Sequence, residues 1–140
     1  MKTLIVLEDE PSVMKLLHLM LKQYCLVEAT SAEQALRLFN DHARQIDLLL
    51  ADLTLPISSG IQVALTIRSE VPNLPVILTS GYPVSGWNER DAADLETLGG
   101  KAVAVLQKPF HKQILLNTVS GFLGLALPEK VRTAGPPDVY

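Results

Sequence analysis

The sequence predicts an α/β fold in which a parallel sheet carries helices on both faces. Short apolar runs alternate with helix-period segments along the chain, the pattern of repeated β-α units. Three of the runs are nearly all apolar, as strands covered on both sides must be. Residues able to do chemistry recur just after the runs, at the sheet edge where folds of this class bind ligands.

The first strand is TLIVL, residues 3–7. SVMKLLHLMLKQY follows and places Val13, Leu16, Leu17, Met20 and Leu21 on one helical face. CLVEA, 25–29, is the second strand. Ser31 then stands as N-cap before AEQALRLF, with Gln34 three residues on in a capping-box spelling. IDLLLA, 46–51, is the third strand, and GIQVALTIRSEV the third helix, stopped by VPNLP. LPVILT, 74–79, leads to ERDAADLETLGG, whose glycine pair takes the C-cap role. AVAVLQ, 102–107, is the fifth strand, and HKQILLNTVSGFLGLAL the fifth helix, stopped by Pro128. The reading is one domain over 1–127, with 128–140, rich in proline and without periodicity, as a flexible tail or linker.

A chain of 140 residues suits one domain with its own core. It is 48% apolar and 19% charged with a mean hydropathy of +0.24, so part of its surface is expected to meet a partner. A net charge of -3 offers no footprint for nucleic acid or for an anionic membrane, and direct DNA binding is not expected. No apolar run approaches the roughly 20 residues needed to cross a bilayer, and the N-terminus turns acidic at once, so the expected location is the cytoplasm. Cys25, the single cysteine, has no internal disulfide partner and is expected to be a small buried hydrophobe.

The strand ends carry the chemistry. Glu8, Asp9 and Glu10 follow strand one, Asp52 follows strand three, Thr79 and Ser80 close strand four, and Lys108 follows strand five. Carboxylates gathered at one edge repel unless a cation neutralises them. A hard, oxygen-liganded ion such as Mg²⁺ fits, since it takes one or two carboxylates, waters and phosphate oxygens. Lys108 would meet a phosphoryl oxygen with a positive charge, and the Ser80 hydroxyl would meet another with a hydrogen bond. Aspartate is a nucleophile that forms acyl phosphates, the role this placement suggests for Asp52. Taken singly, an Asp at a strand end also reads as a turn residue or helix cap, and EDE as a solvated turn.

IVLEDEP, LLLADLTLPISSG, PVILTSGYP and LQKPF together resemble the four signature segments of the receiver domain of two-component response regulators, in order over residues 3 to about 125. The resemblance implies a flavodoxin-like, doubly wound five-stranded parallel sheet of order 2-1-3-4-5 with five helices. It implies Mg²⁺ at Glu8, Asp9, Asp52 and the Thr54 carbonyl, phosphorylation of Asp52, and Ser80 and Lys108 as the switch hydroxyl and the lysine. Pro56 and Gly60 match the family's proline and glycine after the phosphorylation site. The implied phosphodonor is a histidine kinase or a histidine phosphotransfer protein. The domain would act on no other substrate, catalysing only its own phosphorylation and dephosphorylation. A downstream protein, not identified by the sequence, would be met through the face of helix four, strand five and helix five.

Two positions depart from that pattern. The acidic pair is Glu-Asp where Asp-Asp is commoner. Val105 stands where the family usually has an aromatic that swings inward when the hydroxyl engages the phosphoryl group. LTSGYP and LQKPF also resemble receivers attached to hybrid histidine kinases, so the expectation is either a single-domain regulator or a receiver from a longer protein. A phosphatase of the haloacid-dehalogenase type would need a second Asp in DLT, and a dinucleotide site would need G-x-G-x-x-G after strand one; neither is present. A receiver fold that is never phosphorylated would not need the full set of acids, hydroxyl and lysine. His18, His42 and His111 share no metal-binding spacing and are expected in surface or structural roles. Trp87 is expected to pack, in a loop that would report switching.

Overall fold

The computed structural model describes residues 1–124. Its elements run β1 Thr3–Leu7, α1 Pro11–Met20, β2 Cys25–Ala29, α2 Ala32–His42, β3 Leu48–Asp52, α3 Gly60–Glu70, β4 Val76–Ser80, a 3₁₀ turn at Val84–Gly86, α4 Glu89–Leu98, β5 Val103–Gln107 and α5 Lys112–Leu123. The five strands are all parallel in the order β2-β1-β3-β4-β5, the doubly wound arrangement that the resemblance implies.

Strand position explains the apolar content of each run. β3 and β4 are buried at every residue and β1 at all but Thr3, because each has a neighbour on either side and helices above and below. The edge strands are less covered: β5 is half-buried at all but its last residue, and β2 is exposed at Cys25 and Glu28 and fully buried only at Ala29. Two apolar layers result. Ile5, Leu7, Phe39, Leu49, Ile61, Ile67 and Leu78 pack on the side of α2, α3 and α4, while Leu4, Val6, Leu17, Leu48, Leu50, Ile77, Leu115 and Val119 pack on the side of α1 and α5. Alternate residues of one strand feed opposite layers, as the period-2 pleat requires.

Several local expectations hold and several shift. The Ser31 hydroxyl accepts from the Gln34 amide at 3.1 Å, but the Gln34 side chain reaches back to the Thr30 amide at 2.8 Å rather than to that of Ser31. Gly99, with φ of 86°, closes α4, and its N–H bonds the Leu95 carbonyl. Strands three and four begin and end later than the apolar runs suggest, so that Asp52 is the last residue of its strand rather than the first beyond it, while Ser80 closes strand four as expected. α1 stops at Met20, and Leu16 is 49% exposed: the buried stripe runs through Met14, Leu17 and Leu21, and Leu16 lies about 100° round the helix from Leu17. Cys25 is exposed, contrary to expectation, because β2 is an edge strand whose first residue is not covered. α5 runs to Leu123, with Gly124 in the left-handed conformation (φ 62°), and the expected continuation to Leu127 lies outside the described residues. The proposed tail at 128–140 lies outside the described residues. Among those residues no helix is long and apolar enough to cross a membrane.

Candidate functional site

Parallel pairing in register brings the strand ends to one edge. Leu7 lies opposite Ala51, Asp52 opposite Thr79, and Ser80 opposite Gln107, so Glu8, Asp52, Ser80 and Lys108 emerge side by side at the carboxyl ends of four neighbouring strands. The Lys108 amide donates to the Ser80 carbonyl at 2.7 Å and extends the β4–β5 ladder by one step, which fixes where the lysine leaves the sheet.

Asp52 is held by its backbone. The Leu53 amide donates to the Thr79 carbonyl at 2.8 Å, and the chain then turns through residues 54–59 before Gly60 returns its amide to the Leu53 carbonyl at 3.1 Å. A Cβ at residue 60 would stand 2.1 Å from the Asp52 carbonyl oxygen, so only glycine lets α3 start this close to the strand. Ser59 caps the helix by accepting from the Ile61 amide.

The side chains form a compact charged cluster. Lys108 Nζ lies 3.1 Å from Glu8 Oε1 and 3.3 Å from Asp52 Oδ2. The second Glu8 oxygen accepts from the Glu10 amide at 3.1 Å, and Asp52 Oδ1 accepts from the Thr54 amide at 3.4 Å. Glu8 is 1% exposed and Asp52 7%, while Asp9 is half-buried. Desolvation by burial raises the carboxyl pKa of both Glu8 and Asp52, even though the lysine pulls each of them down. Burial works against the lysine's charge as well, but the hydrogen bond it donates to Glu8 and the charge of Asp52 outweigh it and leave Lys108 above its ordinary value. The balance is one partly buried cation against two buried anions, with Asp9 alongside.

Such a cluster is short of positive charge. Glu8, Asp9 and Asp52 each offer a carboxylate oxygen, and these atoms lie within 4.8 Å of one another. Three hard oxygen donors at that spacing fit a small divalent cation such as Mg²⁺. Thr54, the fourth metal ligand implied by the sequence, is exposed in the turn just beyond Asp52. Ile57, three residues further along the same turn, puts a large apolar side chain on the surface at 99% exposure.

Ser80 is fully buried, and its hydroxyl is turned away into its own loop. It donates to the Tyr82 carbonyl at 2.8 Å and accepts from the Tyr82 amide at 3.0 Å and from the Trp87 indole N–H at 3.2 Å. The Trp87 contact is not legible in the sequence: a seven-residue separation across a proline-containing loop has no periodicity to read. The three histidines stay out of the cluster. His18 pairs with Glu28 at 2.8 Å on the surface, and His42 and His111 lie at helix ends.

Comparison with known proteins agrees with this geometry. The model of the response regulator receiver domain matches residues 4–120. The chain is 32% identical over 112 residues to Response regulator GtcR of Aneurinibacillus migulanus, covering 79% of this chain and 43% of that protein. It is 28% identical over 127 residues to the Polar-differentiation response regulator DivK of Brucella abortus, covering 88% and 97% respectively. A crystal structure of a response regulator receiver protein from Pseudomonas putida superposes with a TM-score of 0.70 at 31% identity, covering 85% of this chain and 95% of that one. The chain thus spans less than half of the GtcR relative but nearly the whole length of the DivK one.

Proposed function

The chain belongs to the response regulator receiver domain family, which works by aspartate phosphorylation in two-component signalling, and on that premise we propose that Asp52 accepts the phosphoryl group in a Mg²⁺-dependent reaction. The observation that carries this reading is the position of the Asp52 carboxylate: at the end of a fully buried strand, 3.3 Å from Lys108 and within metal-sharing distance of Glu8 and Asp9.

The donor is a phosphohistidine on a kinase or phosphotransfer protein. An Asp52 oxygen attacks phosphorus, the P–O bond forms as the P–N bond breaks, and the imidazole leaves with the electron pair. Glu8, Asp9, Asp52 and the Thr54 carbonyl would hold Mg²⁺, which supplies charge neutralisation between the carboxylates and the incoming phosphoryl oxygens. Lys108 already lies against the nucleophile, and its ammonium then pairs with the charge that the acyl phosphate carries. The Ser80 hydroxyl turns from its loop to donate to a phosphoryl oxygen. Hydrolysis of the acyl phosphate by water resets the site, and no other substrate is turned over.

Output passes through the face formed by α4, β5 and α5. That face begins in the loop after Ser80, and α4 contributes Leu98 alone to the fully buried core, so it is the helix least fixed to the sheet. Ile57, exposed in the turn that follows Asp52, suits an apolar contact with the phosphodonor. The test is chemical. Incubation with acetyl phosphate and Mg²⁺ should add the mass of one phosphoryl group, and Asp52→Asn should not label. Equal labelling of the Asn variant would move the acceptor elsewhere.

A further inference from the structure

The loop that follows Ser80 is exposed at every residue from Gly81 to Arg90 with a single exception. Trp87 is partly buried and packs against the same apolar cluster as Leu95 and Val105. Its indole N–H lies 3.2 Å from the Ser80 hydroxyl oxygen and 3.2 Å from the Tyr82 carbonyl, a donor shared between two acceptors. The next residue, Asn88, caps α4 by accepting from the Asp91 amide at 2.7 Å. Trp87 therefore links the Ser80 hydroxyl, the partly buried cluster under α4, and the start of α4 itself.

A serine hydroxyl has one proton to donate and two lone pairs to accept with. In this structure all three are used: the proton on the Tyr82 carbonyl, the lone pairs by the Tyr82 amide and the Trp87 indole. The hydroxyl cannot donate to a phosphoryl oxygen without giving up the Tyr82 carbonyl. The indole N–H, equidistant from that carbonyl, is placed to take the vacancy.

We propose that Trp87 is the positioning residue that holds Ser80 in its resting rotamer and relays its departure to α4, with the indole N–H passing wholly to the Tyr82 carbonyl when the hydroxyl turns to Asp52. The proposal rests on the phosphoryl-acceptor reading of Asp52. Val105 is a stiff β-branched side chain in a strand, with little freedom to follow the hydroxyl. Trp87 is the aromatic side chain in hydrogen-bond contact with Ser80, and it lies on the exposed loop that has room to move. At rest the indole serves the oxygen of a fully buried residue. Once Ser80 has turned, it serves only the carbonyl of Tyr82, a residue 64% exposed, where water is a substitute. Removing the N–H therefore costs the resting state more than the engaged one.

Trp87 is the only tryptophan in the chain, so a ¹⁵N-labelled sample gives one indole resonance. Titration with Mg²⁺ and beryllofluoride should move that resonance in step with the amides around Asp52. In Ser80→Ala the indole peak should start displaced and stay still while the Asp52 amides still respond. Trp87→Phe, which keeps a ring and removes the N–H, should bind beryllofluoride about two- to fivefold more tightly, the range that a fraction of one net hydrogen bond allows. An indole peak that stays fixed in the wild-type protein while the Asp52 amides saturate overturns the relay and leaves the acceptor reading standing. Unchanged or weaker binding by Trp87→Phe overturns the resting-state latch. If no amide near Asp52 responds, the acceptor reading falls and the relay with it.

Discussion

Burial disfavours the ionised forms of the Asp52 and Glu8 carboxyls, so the cluster is a local cost to stability wherever both are charged. Both have folded-state pKa values raised above ordinary ones, so the folded state keeps their protons more tightly than the unfolded state does. Their contribution is present below the ordinary carboxylate range and is lost as pH rises through the raised values. Asp52→Asn should accordingly raise the melting temperature at neutral pH without divalent metal, and the gain should shrink toward pH 4. A variant that melts lower than the wild type at neutral pH would mean that the Lys108 pair outweighs the burial cost. Mg²⁺ should stabilise the wild type and do far less for the Asn variant, because one of the three carboxylates is gone. Another buried group is costly without any service to the site: the Tyr24 hydroxyl is buried with no hydrogen-bond partner among the described residues, and burial raises its pKa. Tyr24→Phe should stabilise the fold by about 1 kcal/mol in urea denaturation, the price of an unsatisfied hydroxyl removed. A loss of stability would show that the hydroxyl has a partner in solution.

Among the elements, the start of α3 decides how accurately Asp52 is presented. Gly60 lets the helix return against the strand it left, and a methyl group there meets a backbone oxygen that has no rotamer to escape into. Gly60→Ala should cost about 1–3 kcal/mol, as overpacking at fixed backbone does. It should also slow phosphorylation of Asp52, since relief of the clash must displace Asp52 or the turn at 54–59. Denaturant titration and the acetyl phosphate rate measure the two effects separately. Full stability together with full rate would show that the loop yields without disturbing the strand. The α2 cap is a useful contrast. Ser31 and Gln34 are spelled out three residues apart in the sequence and are found bonded in the structure, because a cap involves only neighbours in the chain. The contact of Gly60 with Asp52 spans a turn and a change of element, and no local pattern announces it.

At the scale of the whole molecule, rigidity is graded across the sheet. The three central strands are buried almost throughout, whereas α4 is joined to the body through Leu98, Leu95 and the preceding Trp87. Local opening is easiest where few apolar contacts are lost. Amide hydrogen exchange should be slowest in β1, β3 and β4 and markedly faster in α4 and the loop at 81–88. Beryllofluoride with Mg²⁺ should alter protection in that loop and α4 more than in α1 or α2. Protection of α4 equal to that of β3 would contradict the graded picture and remove the basis for an output face there.

The alternation of apolar runs with helical periods determined the α/β class and the number of strands and long helices, whereas the strand order came with the family resemblance: AVAVLQ is as apolar a run as the others and is nevertheless an edge strand. The strand-end residues determined the site's composition, since in a parallel sheet every strand delivers its last residue to the same edge. Leu16 and Cys25 were misplaced for a related reason: helix phase and edge position depend on neighbours that the local pattern does not contain. Tertiary structure alone decided that Lys108 bridges Glu8 and Asp52, that Gly60 lies against the Asp52 carbonyl, and that the Trp87 indole shares the Ser80 hydroxyl. These contacts join atoms whose separation along the chain carries no period, the polar ones 3.1–3.3 Å long, and such distances are set only when the packed sheet, its turns and its helices are all in place.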